Sequence, residues 1–168
     1  TLQEQPITHS VHSVLTRLFS LSLPATLVSF SLSATAQAQA DGLVSVASTR
    51  SAGDTMNRLE ALVKERGLNV FARIDHAAGA AKVGKTLRST ELLIFGNPQG
   101  GTPLMECAQT AGIDLPLKAL VWTDAAGKVM LSYNDPAYLA KRHGATTCPA
   151  VENLTKALSG IAQAAIAP

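Results

Sequence analysis

Apolar residues recur along this chain at two spacings, and each switch between them marks an element. Leu43-Val-Ser-Val-Ala47 alternates apolar with small polar side chains, the pattern of a half-buried first strand. Ser51 and Asp54 open a helix, along which Met56, Leu59, Leu62 and Val63 return at helical spacing on one face. Glu60 and Lys64 sit one turn apart on its exposed side, and Gly67 supplies a left-handed stop. Asn69 to Ile74 reads as the second strand. The alanine-rich stretch from Asp75 to Lys85 holds two internal glycines, so the spacing predicts only a short helix, capped by Asp75.

Leu92 to Phe95 is a nearly unbroken apolar run, hence a buried strand, ended by the loop Gly96-Asn-Pro-Gln-Gly-Gly101. Thr102 as N-cap and Pro103 in the first turn predict a further helix, with Gly112 as its stop. Leu117 to Thr123 and Lys128 to Tyr133 flank Asp124-Ala-Ala-Gly127, which predicts a hairpin. Asp135 and Pro136 start a short helix whose negative end carries Lys141, Arg142 and His143 before Gly144. The last helix, Pro149 to Ala165, turns Val151, Leu154, Leu158 and Ile161 inward. One strand, a long helix, four strands broken by short helices and a final helix together predict an α+β two-layer sandwich with an antiparallel sheet.

Ahead of these elements the grammar changes. Arg17 precedes the apolar stretch Leu18 to Leu32, and Ala34-Thr-Ala-Gln-Ala-Gln-Ala40 follows it. This is the pattern of an export signal occupying residues 1–40, with small residues at Ala38 and Ala40 favouring a cut before Asp41. Pro24 and several serines interrupt the apolar run, which is shorter than the roughly 20 residues of a membrane span. The expected product is a single domain, 41–168, in the periplasm or secreted, with no membrane attachment after cleavage. Arg17 and Glu4 would leave together, so the net charge stays at +2, too mild a balance to argue for nucleic acid.

Cys107 and Cys148 are the only cysteines, and export would carry them into an oxidising compartment. A disulfide is the leading expectation, with two separate buried thiols or a redox or metal role as alternatives. Two Cys with His76 and His143 offer the atoms of a zinc site, but no pair has finger-like spacing, and no cofactor is expected.

Two segments carry a resemblance. Glu91-Leu-Leu-Ile-Phe-Gly-Asn-Pro-Gln-Gly-Gly-Thr-Pro-Leu-Met105 and Leu115-Pro-Leu-Lys-Ala-Leu-Val-Trp-Thr-Asp-Ala-Ala-Gly-Lys-Val-Met-Leu-Ser-Tyr-Asn-Asp-Pro136 resemble the central signature of the domain of unknown function 302 family. The likeness covers about residues 45–143. It implies a strand–helix–four-strand–helix core that pairs into homodimers, and it implies no catalytic residue.

The residues themselves offer three places for chemistry. The loop with Asn97, Gly101 and Thr102 leads into a helix N-terminus, where free N–H groups favour an anion, although ordinary turn and cap chemistry explains the same residues. Alternation puts Lys118, Leu120 and Trp122 on one face of their strand, and Tyr133 is a candidate for the same region. A lysine lying along an aromatic ring is the plain alternative to a pocket wall. Residues 73–88 are the most basic part of the chain, and His76 within them could act as a base or ligand donor, or simply lie exposed near a helix start. The expected function is therefore a small-ligand-binding domain for an anionic molecule. The alternatives are an enzyme using His76 as acid or base with Lys118 or the helix N-terminus stabilising negative charge, and a dimeric interaction module without a ligand.

Overall fold

A two-residue strand, Gln37–Ala38 (β1), pairs antiparallel with Leu43–Ser48 (β2) in the computed structural model, which describes residues 37–38 and 42–168. The apolar leader segment, Arg17 to Leu32, lies outside the described residues. The remaining strands are Asn69–Asp75 (β3), Thr90–Gly96 (β4), Leu117–Thr123 (β5) and Val129–Asn134 (β6). They join one antiparallel sheet in the order β1-β2-β6-β5-β4-β3, so β3 is an edge.

Among the described residues five α-helices connect or cover these strands: Ala52–Glu65 (α1), His76–Lys82 (α2), Pro98–Cys107 (α3), Pro136–Arg142 (α4) and Ala150–Ile166 (α5). Alternation decides which sheet face they cover. Val44, Val46, Leu93, Phe95, Ala119, Val121, Leu131 and Tyr133 point to one side and pack on α1 and α5. Met56, Leu59 and Val63 of α1 and Leu158, Ile161, Ala162 and Ala165 of α5 complete that core, all almost fully buried. Each large apolar side chain of this layer contributes about 1.5–3 kcal/mol on burial. A second cluster, Leu104, Ala111, Ala140, Ala145, Cys148 and Leu154, joins α3, α4 and the start of α5. The fold is the α+β two-layer sandwich that the periodicity predicts.

The opposite face of the sheet carries Ser45, Leu92, Ile94, Leu120, Trp122 and Met130, all half-buried and in neither apolar cluster. Trp122 Nε1 donates to Ser132 Oγ at 2.8 Å, and Ser132 meets Ser45 Oγ at 2.7 Å, which satisfies the buried hydroxyl.

The caps at Ser51, Asp75 and Asp135 stand where the sequence puts them, each accepting a backbone N–H from the following turn. The helix expected to begin at Thr102 begins earlier. Asn97 is the N-cap of α3, its Oδ1 accepting from Gly100 N at 2.8 Å, and Pro98 takes the first helical position. The expected loop residues Pro98 to Gly101 are thus the helix's first turn. Asn-Pro is itself a cap-plus-proline signal, and the Asn97 cap bond satisfies the Gly100 N–H that the helix start would otherwise leave unpaired. Pro103 sits inside α3, where one ladder hydrogen bond is lost. Nor does Gly112 end α3: the helix stops at Cys107, and a 3₁₀ turn, Gln109–Ile113, contains the glycine.

Candidate functional site

The sheet, α3 and α5 do not close completely on one another. Between them lies a cleft of about 720 Å³. One wall is the start of α3 with its cap, from Gly96 to Pro103; a second is Leu115, Pro116 and Leu117, which lead into β5. The third is a stripe along α5 comprising Ala150, Asn153, Leu154, Ala157, Leu158 and Ile161, residues that recur at helical spacing and so share a face. Leu68 and Phe71, at the edge strand, line the cleft too. Phe71 is 58% exposed, at the point where the β3–β4 register shifts between Val70 and Ala72.

Three features hold the walls. Cys107 and Cys148 are disulfide-bonded with Cα atoms 6.0 Å apart, tying the end of α3 to the turn before α5. The wall before β5 is braced from below by Asp114, whose carboxylate takes hydrogen bonds from His143 Nε2 at 2.7 Å and Arg142 Nη1 at 3.2 Å. Thr110 Oγ1 lies 3.0 Å from His143 Nδ1, which links the 3₁₀ turn to the end of α4. Finally, Lys118 Nζ donates to the carbonyls of Asp114 and Pro116, both at 2.9 Å, and closes the bend that carries the wall into the sheet.

Gly100 brings the two helices together: a Cβ there would come within 3.2 Å of the Asn97 cap oxygen, a tight contact, and lie at an ordinary 3.7 Å from the Leu154 side chain on α5.

The cleft brings together Asn97, Gly101 and Thr102 of the residues expected from the sequence. The others lie elsewhere. His76 is exposed in the first turn of α2, a helix with no buried residue. Lys118 is committed to two backbone carbonyls, and Trp122 to Ser132 on the open sheet face. Tyr133 pairs directly with Ala119 and therefore points to the helix-covered side, 6% exposed, away from Lys118 and Trp122. Hairpin register decides this, because a shift of one residue would reverse it. Sequence reasoning missed the α5 stripe, Leu115 to Leu117 and Phe71. The periodicity of α5 was visible, but a stripe facing a cleft has the same pattern as one facing a filled core.

Among the described residues, none of the lining side chains is ionisable; the polar ones are Asn97, Gln99, Thr102 and Asn153. The perturbed groups lie apart from it. Hydrogen bonds from Lys64 and Arg73 hold the Glu60 carboxyl below its usual range, while Glu91 raises Arg73, which it meets at 2.6 Å. Burial, with Asp135 assisting, pushes the Tyr133 phenol up. Among the described residues no group of three or more His, Cys, Asp and Glu could hold a metal ion.

Comparison with known proteins agrees with this architecture. Residues 44–163 match the model of the domain of unknown function DUF302, and the chain belongs to that family. An uncharacterised conserved DUF302 protein from Bacillus stearothermophilus superposes with a TM-score of 0.68 at 18% identity, over 74% of this chain and 98% of that one. Curated relatives named fluoride-specific ion channel FluC 1, from Brucella suis biovar 1 (strain 1330) and Brucella abortus biovar 1 (strain 9-941), are each 55% identical over 102 residues. These matches cover 61% of this chain and 40% and 38% of the relatives, so the chain spans about two fifths of their length.

Proposed function

We propose that this DUF302 chain is an exported binding domain whose ligand is a small molecule seated in the cleft between α3, α5 and the start of β5. The observation that carries the reading is the cleft itself. At about 720 Å³ it has the size of small-molecule sites, and it joins an apolar lining to a few polar side chains. Export is supported by the signal-like leader and by the Cys107–Cys148 bond, which suits an oxidising compartment.

An anionic ligand, expected from the helix N-terminus and Lys118, gains little here. Lys118 is committed to carbonyls, and no cation among the described residues lines the cleft. The enzyme alternative has His76 outside the lining with no side-chain partner among the described residues. The name of the Brucella relatives describes a fluoride channel, and fluoride is a small, strongly hydrated anion that this apolar lining does not suit. The matched segment is read instead as an accessory domain that such a protein can also carry. No described helix is long and apolar enough to cross a membrane.

Native mass spectrometry of protein purified from the cell envelope tests the reading, combined with amide chemical shifts on adding an envelope extract. Retained small-molecule mass with shifts at Leu154, Ala157 and Gly101 is expected. Shifts confined to other surfaces would move the site and reject it.

A second reading rests on the open sheet face, where Leu92, Ile94, Leu120, Trp122 and Met130 form an apolar, half-buried surface bordered by Lys118, whose ammonium is bonded to two backbone carbonyls. Two copies could meet there as a homodimer, since a mostly apolar face complements itself. Analytical ultracentrifugation would decide it: Leu120→Glu should convert dimer to monomer, and a wild-type monomer at high micromolar concentration refutes the pairing.

A further inference from the structure

We infer that the ligand of this cleft is an uncharged amphiphile: a hydrocarbon or ring-containing body lying along α5, with a neutral hydrogen-bonding head such as an alcohol, ester or amide. The inference rests on the ligand-binding reading of the same cleft and adds the ligand's chemical class.

Shape comes first. The α5 stripe runs from Ala150 to Ile161, which at 1.5 Å per residue is a groove about 16 Å long. Spread over that length, the 720 Å³ cavity has a mean cross-section of about 45 Å². That suits an elongated ligand of small-molecule width.

Polarity is unevenly distributed along it. Asn97, Gln99 and Thr102 belong to the cap and first two turns of α3, and this end of the helix abuts Leu154 through Gly100, next to Asn153 on α5. The polar side chains thus gather where α3 meets α5. Toward Ile161, Leu68 and Phe71 the lining is apolar. Asn97 commits its Oδ1 to Gly100 N and keeps its amide hydrogens as donors. Gln99, Thr102 and Asn153 have no side-chain partner among the described residues, so donors and acceptors are both on offer.

Charge decides the head. With no Lys, Arg or His among the described lining residues, a carboxylate or phosphate drawn out of water would lose hydration that this helix start does not restore, since its Gly100 and Gly101 N–H groups are already bonded to Asn97. With no Asp or Glu either, an ammonium is equally unmatched. Arg66 comes near α5, but its guanidinium donates to the carbonyls of Ala157 and Gly160 and is not part of the lining. A neutral head loses only water contacts that the amides and hydroxyl replace.

The test uses the full chain with its disulfide intact and a neutral fluorescent probe, N-phenyl-1-naphthylamine, displaced by dodecan-1-ol, by dodecanoate at pH 8 or by inorganic phosphate. The probe should bind with enhanced emission, dodecanol should displace it, dodecanoate should compete at least tenfold more weakly, and phosphate should have no effect. Ala157→Trp or Thr102→Trp, both at exposed lining positions on opposite walls, should abolish probe binding with the circular dichroism spectrum unchanged. Dodecanoate or phosphate competing as well as dodecanol, with both tryptophan variants still blocking, overturns the neutral class while leaving the cleft as the site. Undiminished probe binding in both folded variants, or no binding of any probe to the wild type, overturns the cleft reading and the ligand class together.

Discussion

Breaking the Cys107–Cys148 bond should be the most destabilising covalent change available to this domain. The bridge closes a loop with a sequence separation of 41 residues. On the chain-entropy model such a loop removes about 13 cal/mol/K from the unfolded ensemble, or about 4 kcal/mol at 25 °C. Native contacts recover little of this when the bond is cut, because Cys107 is exposed while Cys148 is buried in the small second cluster. The perturbation is Cys107→Ala with Cys148→Ala, compared with wild type in the presence and absence of dithiothreitol. Urea denaturation followed by tryptophan fluorescence reads it: with a slope of about 1.5–2 kcal/mol/M, the midpoint should fall by about 2–3 M. Reduced wild type should match the double variant, and the double variant should ignore reductant. A midpoint change below about 0.5 M would refute the reasoning, showing that the reduced chain keeps α3 against α5 even when unfolded elsewhere or that the bond is absent from the native protein.

Gly42→Ala should cost more than about 2 kcal/mol, because φ is +77° there and a Cβ would overlap the Tyr138 ring; a thermal melt within about 2 °C of wild type would refute it. Asn97→Ala removes the α3 cap and should cost about 1 kcal/mol while weakening probe binding in the cleft, whereas Asn97→Asp should preserve the cap and, by placing a charge in the lining, still weaken binding. Burial raises the folded pKa of Tyr133, so its stabilising share is complete below the unfolded value of about 10 and is lost as pH rises through the folded value. Tyr133→Phe should therefore lose less stability between pH 9 and pH 11.5 than wild type, and parallel alkaline profiles would count against this. Glu60 runs the other way: its lowered pKa makes its contribution present at neutral pH and lost on acidification, and Glu60→Gln should flatten the acid limb slightly, by less than about 1 kcal/mol given the exposed partners Lys64 and Arg73.

Local signals determined most of the fold. Alternation in β2 and β5, the helical stripe of α1, the caps Ser51, Asp75 and Asp135 and the glycine of the β5–β6 turn act within a few residues, so the sequence alone placed these elements and the two-layer class. Thr102-Pro103 predicts the start of α3 although Asn97-Pro98 carries the same cap-plus-proline chemistry, and the structure shows Asn97 as the cap. Candidate chemistry was less legible. Lys118 and Tyr133 looked like neighbours of one ligand until register set Tyr133 against Ala119 and the loop carbonyls of Asp114 and Pro116 took the ammonium. Only the tertiary structure decided that α3, α5 and the Leu115–Leu117 wall enclose a cleft. Its lining draws on segments from Leu68 to Ile161, and an apolar side chain carries the same sequence signal whether it meets a filled core or an open cavity.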